Sequence, residues 1–398
     1  MIPERLDVLI YAHDGRGLGH ASRSIGIGLA LRRLFPRLKV LFVSGCRFSQ
    51  EMIGDAPLDW LKLPSYKTQV IEGKSEGIAG ESMFSDRELG LLRSGDLAHY
   101  VQLYKPRVIL ADHTPQGKHK ELAHAMAVND TLPESEKSSW VLGVRGVVGG
   151  VPQATSSKAA QLFGAYYSGL LWYGDSNILG KEHCQKLGEQ YGVSPVECGY
   201  VLRLAEFCHF NFNQGSPVEI KKYAGVISIP WLGEHGLKFA ATLAAALKKI
   251  GPSAGIWRIF IDMGESRGAG SKVMALFRGM KNCQLELPSG QYVSALLRAK
   301  TAIVYGGYNS LMDVLHAVVP ALVVLREMKD AEQQIHLQSL QKVLGKTMSV
   351  VSESEVTVEE LVSLLQVNLD GATLPHHNIK LDGAAAAAKY IQSMLGSD

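Results

Sequence analysis

The sequence predicts an α/β protein of two domains, each an open, doubly wound sheet of parallel strands. Three observations carry this. The chain has 398 residues, more than one compact core ordinarily fills. Short apolar, β-branched runs alternate with stretches of helical periodicity along its length. Glycines and polar side chains collect where those runs end, as they do at the carboxyl edge of a parallel sheet.

The first strand is Leu6 to Ala12, running into His13-Asp14-Gly15-Arg16-Gly17-Leu18-Gly19-His20. A helix begins there, with Ile25, Leu29, Ala30, Leu31 and Leu34 on its apolar face. Three glycines between strand and helix permit close backbone approach to an anionic or sugar ligand. Dinucleotide-binding proteins carry a similar turn. Here, though, the second strand, Lys39 to Ser44, ends without the acidic residue that an adenosine ribose requires. His20 stands at the mouth of the turn, either as a proton acceptor or as an ordinary helix-start residue. From Ser65 to Asp86 the pattern is a long loop or a pair of short elements, the kind of region that sets binding specificity.

Pro106 to Asp112 is the next clear strand, followed by His113, the turn Thr114-Pro115-Gln116-Gly117 and a helix from Lys118. This places Asp112 and His113 at the same sheet edge as His20. A carboxylate beside a histidine orients it or raises its pKa; the alternative is that Asp112 caps the following helix. Trp140 to Arg145 is a further strand, and Arg145 at its end suits a diphosphate or another substrate group. Leu170 to Asp175 and Val196 to Val201 complete the series. Leu202 to Lys222 reads as a linker.

Val226 to Ile229 opens the second sheet, and the turn Pro230 to Gly236 leads to an amphipathic helix over Phe239 to Ile250. Arg258 to Gly264 is the next strand and turn. Thr301 to Tyr305 is a buried strand whose Gly306-Gly307 pair allows a sharp turn into a helix. Asn309 and Ser310 suit its cap or first turn, Asp313 lies one turn in, and Pro320 stops it. Ala321 to Leu325 is another strand, with Arg326 to Asp330 a polar loop into a helix carrying Glu332, Gln333 and Gln334. Free helix N–H groups can hold a diphosphate, and a carboxylate can accept two hydrogen bonds from a ribose diol. Equally, Asn309 and Ser310 are plain caps and Glu332 a solvated residue. Ala384 to Leu395 is a final helix of high propensity.

Composition narrows the class. Hydrophobic residues make up 46% and charged residues 20%, leaving little room for disorder. Forty-one basic against 38 acidic residues give +3, which argues for no nucleic-acid partner. Five widely spaced cysteines suggest a reducing compartment and no structural zinc. The N-terminus lacks a signal-peptide pattern, and the apolar run near Leu315 to Leu325 is broken by His316 and Pro320. A cytoplasmic protein with no transmembrane segment is therefore expected. No Asp-x-Asp lies near a strand end, so neither a metal nor another cofactor is expected.

The segment Gly306-Gly307-Tyr308-Asn309-Ser310, with Asp313, Pro320 and Glu332-Gln333 after it, resembles the donor-sugar motif of GT-B glycosyltransferases. That superfamily includes the GlcNAc transferase of peptidoglycan synthesis. Gly17-Leu18-Gly19-His20-Ala21-Ser22-Arg23 resembles the Gly-x-Gly-His segment that opens the GT-B acceptor domain, and that of the related nucleotide-sugar hydrolase of pseudaminic acid synthesis. Tyr11-Ala12-His13-Asp14 and Lys105-Pro106, continued by Asp112-His113, Pro115 and Gly117, look most like a bacterial group of predicted glycosyltransferases.

The resemblance runs from about Leu6 to about Leu344. It implies two Rossmann-like domains facing one another across a cleft, residues 1–201 on the acceptor side and 202–398 on the donor side, with the last helix crossing back. It also implies a nucleotide-diphosphate sugar donor of the UDP or dTDP type and an unspecified acceptor. Catalysis would fall to His20, Asp112 and His113. Substrate binding would fall to Gly17, Gly19, Arg145, Gly233, Gly236, Gly264, Gly307, Asn309, Ser310, Asp313, Arg326, Glu332 and Gln333. Three departures stand out. Asp313 replaces the usual Glu, Gly146 follows Arg145 where the group has Asp, and only Gly233 and Gly236 remain of a glycine run now holding Trp231. Hydrolysis of a nucleotide sugar, or binding without turnover, are the competing expectations.

Overall fold

The computed structural model describes residues 5–12, 18–71, 74–78, 83–147, 155–211, 222–230, 234–261, 267–326, 332–345 and 348–396. The chain forms two compact units, Met1–Asn211 with Ile379–Asp398, and Phe212–Asn378.

The first unit contains β1 (Val8–Ala12), β2 (Val40–Ser44), β3 (Asp59–Lys62), β6 (Val108–Asp112), β7 (Ser139–Arg145), β8 (Tyr167–Tyr173) and β9 (Val196–Glu197). These pair in parallel in the order β3-β2-β1-β6-β7-β8-β9. The second contains β10 (Tyr223–Ile229), β11 (Trp257–Ile261), β12 (Cys283–Glu286), β13 (Ala299–Tyr305), β14 (Ala321–Leu325) and β15 (Met348–Ser352), parallel in the order β12-β11-β10-β13-β14-β15. Strands covered on both faces read as unbroken apolar runs, and all five residues of β1 and of β11 are buried. In each sheet the winding direction reverses once, between β1 and β6 and between β10 and β13. Those are the points where an open sheet leaves a crevice beyond its carboxyl ends.

The helix Gly19–Leu34, which follows β1, is buried from Ala21 to Leu31 without a break. Helices Arg203–Asn211 and Gly383–Leu395 both pack on it. A Cβ at Gly26 would lie 3.2 Å from the Arg203 backbone, so glycine sets that close approach. The alanine run of the last helix serves the same end: Ala384, Ala387, Ala388, Ile391 and Leu395 share a core with Val8, Ile10, Ile25 and Leu29.

Two segments differ from the sequence reading. The stretch taken as a linker begins as the helix Arg203–Asn211, whose buried Glu206 accepts bonds of 2.7 and 2.8 Å from Arg33. Nine residues with one short apolar face give little periodicity to detect. The helix expected from Lys118 starts instead as a tight turn, Lys118–Lys120, and becomes α-helical over Leu122–Thr131. Between Ser65 and Asp86 lies an antiparallel pair, β4 (Lys67–Ile71) and β5 (Lys74–Ile78). Among the described residues no helix is long and apolar enough to cross a membrane.

Candidate functional site

At the reversal point of the first sheet, β1 pairs with β6 with Tyr11 opposite Ala111, so the carboxyl ends of β1 and β6 reach the same edge. The helix Gly19–Leu34 starts there with His20 in its first turn. His20 Nδ1 meets Asp112 Oδ2 in a short hydrogen bond. Arg23, one turn further along, places Nη2 3.1 Å from His20 Nδ1 and 3.6 Å from Asp112 Oδ1. The His113 ring lies 5.2 Å from that of His20, tilted by 53°. The structure thus brings together His20, Asp112 and His113, and adds Arg23, which the sequence reading quoted but did not single out. Its signal was the i, i+3 spacing from His20.

Burial disfavours the imidazolium, and the positive charges of Arg23, Arg145 and Lys118 disfavour it further, so the pKa of His20 lies well below its ordinary value. The sequence offered two effects of a neighbouring carboxylate, orientation or a raised pKa. The pKa is not raised, because desolvation and three cations set its direction. What the carboxylate contributes is orientation. A neutral imidazole bonded through Nδ1 keeps Nε2 as a proton acceptor.

The loop after β6 is strained. His113, His119 and Lys120 hold φ of +76°, +50° and +66°, a region that side chains rarely occupy. The His113 N–H donates to Gly143 O at 2.8 Å. A buried network pins the far end of the loop. Arg93, fully buried, donates from Nε to Glu121 Oε2 (2.5 Å), from Nη2 to Glu121 Oε1 (2.8 Å) and from Nη1 to Pro64 O (2.6 Å). Tyr11 bonds the same carboxylate and accepts the Lys118 N–H at 3.1 Å. Arg93 is delivered by the helix Asp86–Tyr104, which Ser85 and Glu88 start with a capping box. Nothing in the sequence marked Arg93 or Glu121 as partners, because they are joined only by the fold.

In the second unit Gly306 follows β13 and Gly307 caps the helix Tyr308–His316. The two glycines differ. A Cβ on Gly306 would lie 2.7 Å from Leu325 Cδ2 and 3.6 Å from Gln333 Oε1, whereas Gly307 is extended (φ −73°, ψ 147°) and a Cβ would meet nothing within 4 Å. The glycine demanded by packing is therefore Gly306. Asn309 and Ser310 occupy the first turn, with no side-chain cap at the helix start, and Asp313 is half-buried one turn in. Tyr308 stacks on buried His336, with ring centroids 5.9 Å apart. That contact ties the helix start to the helix Glu332–Leu344, which opens with half-buried Glu332 and Gln333.

Arg326 at the end of β14 is engaged within the protein. Its Nε donates to Glu353 Oε1 at 2.8 Å, its guanidinium lies 4.2 Å from the Tyr305 ring centre, and the Tyr305 hydroxyl donates to the same Glu353 oxygen at 2.6 Å. Glu353, just past β15, was not anticipated. Gly19 is the first residue of its helix, and Gly236 is buried in the first turn of the helix Glu234–Ile250 rather than in a loop. Arg145 is half-buried at the end of β7. Gly17, Gly233, Gly264 and Trp231 lie outside the described residues.

No protein-family model matches the chain, and no curated protein matches it. Solved structures do. A putative UDP-N-acetylglucosamine 2-epimerase from Listeria monocytogenes aligns at 13% identity over 98% of this chain and 95% of its own, with a TM-score of 0.61. UDP-GlcNAc 2-epimerase from Neisseria meningitidis, bound to UDP-GlcNAc, aligns at 11% identity over 98% and 99%, with a TM-score of 0.59. MurG from Acinetobacter baumannii aligns at 14% identity over 99% and 98%, with a TM-score of 0.50. At such identities the likeness is one of fold, and the fold is GT-B: two Rossmann-like units with parallel sheets.

Proposed function

We propose that this protein is a metal-independent glycosyltransferase that moves a sugar from a nucleotide diphosphate of the UDP or dTDP type to a hydroxyl acceptor. The observation that carries the reading is the His20–Asp112 pair, a neutral histidine oriented through Nδ1 at the reversal point of its sheet. Nε2 of His20 takes the acceptor's hydroxyl proton as that oxygen bonds to the sugar C1. The bond from C1 to the diphosphate breaks, and its electron pair leaves on the phosphate oxygen. In the second unit the N–H groups at the start of the helix Tyr308–His316, which has no side-chain cap, suit the charge of the departing diphosphate. Asp313 accepts from the ribose hydroxyls, and Gln333 and Glu332 border the same edge.

Release of nucleoside diphosphate, with and without candidate acceptors, tests this. The expected result is acceptor-dependent release that falls by roughly 10²–10⁴ in His20→Ala with little change in donor affinity. Acceptor-independent release would make the protein a hydrolase, and no release from any donor would make it a binding protein. Interconversion of the donor sugar without net release would make it an epimerase, the activity named for two of the structures that share its fold. The pH profile is a further check. Because His20 is held neutral, the acid limb of kcat/KM is expected below the ordinary histidine value of about 6.5. A limb at or above that value contradicts the assignment.

A further inference from the structure

We propose that Arg23 is a positioning residue: through Asp112 it holds the His20–Asp112 pair at a single proton, on Nδ1, with Nε2 as the proton acceptor. The argument starts from proton counting. His20 Nδ1 and Asp112 Oδ2 approach too closely for two lone pairs to face each other, so a proton lies between them. If the pair holds one proton, it sits on Nδ1, the carboxylate is ionised, Nε2 is bare, and the pair carries one negative charge. If the pair holds two, Nε2 is occupied, the pair is neutral, and His20 is no longer a base. The choice between these states is a choice of net charge.

Arg23 makes that choice. Its Nη2 lies 3.6 Å from Asp112 Oδ1, and both residues are only 2% exposed, so the attraction is little screened by water. A buried guanidinium needs a counter-charge, and the one-proton pair supplies it. The 3.1 Å approach of Nη2 to His20 Nδ1 cannot be a hydrogen bond in this state, because both atoms carry hydrogens. Arg23 therefore acts through the carboxylate. Its placement is rigid, since it sits one turn after His20 on a helix that is buried from Ala21 to Leu31. Among the described residues, the other charged or titratable groups facing His20 are Lys118 in the turn after β6, Arg145 at the end of β7 and His113. Each of these, when charged, is a cation and favours the same state, while Asp112 opposes it. Arg23 is in ion-pair contact with Asp112.

The kinetic part of this inference rests on the transferase reading; the tautomer does not, and the experiment separates them. Protein labelled with ¹⁵N-histidine, with His20 identified by its loss in His20→Gln, should show at pH 7 a protonated Nδ1 and an unprotonated Nε2. In Arg23→Gln the pair should take its second proton at a higher pH than in the wild type, so that in a ¹⁵N titration both nitrogens become protonated roughly 1–2 pH units earlier on acidification. The acid limb of kcat/KM should then move up by roughly 1–2 pH units, with activity recovering at higher pH. Arg23→Lys, which keeps the charge, should restore at least half of that shift. An Nε2–H tautomer in the wild type overturns the proposal. So does a protonation midpoint of His20 unchanged in Arg23→Gln, or an activity loss that is the same at every pH. Should Arg23→Gln fail to fold, the wild-type tautomer and Arg23→Lys still decide. Should no turnover be found under any condition, the transferase reading fails while the spectra still judge Arg23.

Discussion

At the edge of β6 in the first unit, the polar groups are side chains paired with one another inside the protein: His20 with Asp112 and Arg23, and Arg93 with Glu121 and Tyr11. At the edge of β13 in the second unit one such cluster recurs, Arg326 with Glu353 and Tyr305, and beside it lie a helix start without a side-chain cap and a row of short, half-buried residues, Asn309, Ser310 and Asp313. The first arrangement sets the protonation of one group. The second suits several hydrogen bonds to a ligand that arrives with its own charge. A single proton needs a fixed electrostatic surrounding, whereas a diphosphate needs donors, and backbone N–H groups supply those with no buried charge to compensate.

The strongest way to break this comparison is through the buried ion pairs. Arg93→Ala leaves the fully buried Glu121 carboxylate with the Tyr11 hydroxyl in place of a guanidinium, and should destabilise the first unit by about 3–5 kcal/mol in chemical unfolding. Arg326→Ala in the second unit leaves Glu353 with the Tyr305 hydroxyl as donor, and should cost only about 1–3 kcal/mol. Equal costs would remove the distinction between a charge-built and a backbone-built edge.

Ligand binding sharpens it next. A nucleoside diphosphate should raise the melting temperature of the wild type, since binding to the native state alone stabilises it by mass action. Asp313→Ala should weaken that affinity by about 10–100-fold, as expected for losing hydrogen bonds to a charged acceptor, with a small change in the unliganded melting temperature. A panel of diphosphates that leaves wild type and variant alike unmoved would remove the donor assignment from this edge.

The smallest effects separate two neighbouring glycines. Gly306→Ala drives a methyl group against Leu325 and should cost about 1–3 kcal/mol of stability. Gly307→Ala meets nothing within 4 Å at an extended backbone and should stay within about 0.5 kcal/mol. A fall in nucleotide affinity in Gly307→Ala, without a fall in stability, would mark that glycine as a place of backbone contact with ligand.

By itself the sequence determined the fold class and most strands, because strands covered on both faces must be apolar throughout, and Val8 to Ala12, Val108 to Asp112 and Ala321 to Leu325 have that signature. It also marked His20, Asp112 and Gly306 as strand-end residues with uncommon neighbours. Only the tertiary structure decided which strand ends meet. His20 and Asp112 are 92 residues apart and touch because β6 pairs with β1, a consequence of winding order that no local pattern encodes. The protonation of His20 was equally beyond the sequence, since its sign depends on burial and on summed charges from three elements. A carboxylate next to a histidine predicts a raised pKa; a carboxylate, three cations and a buried ring give a lowered one.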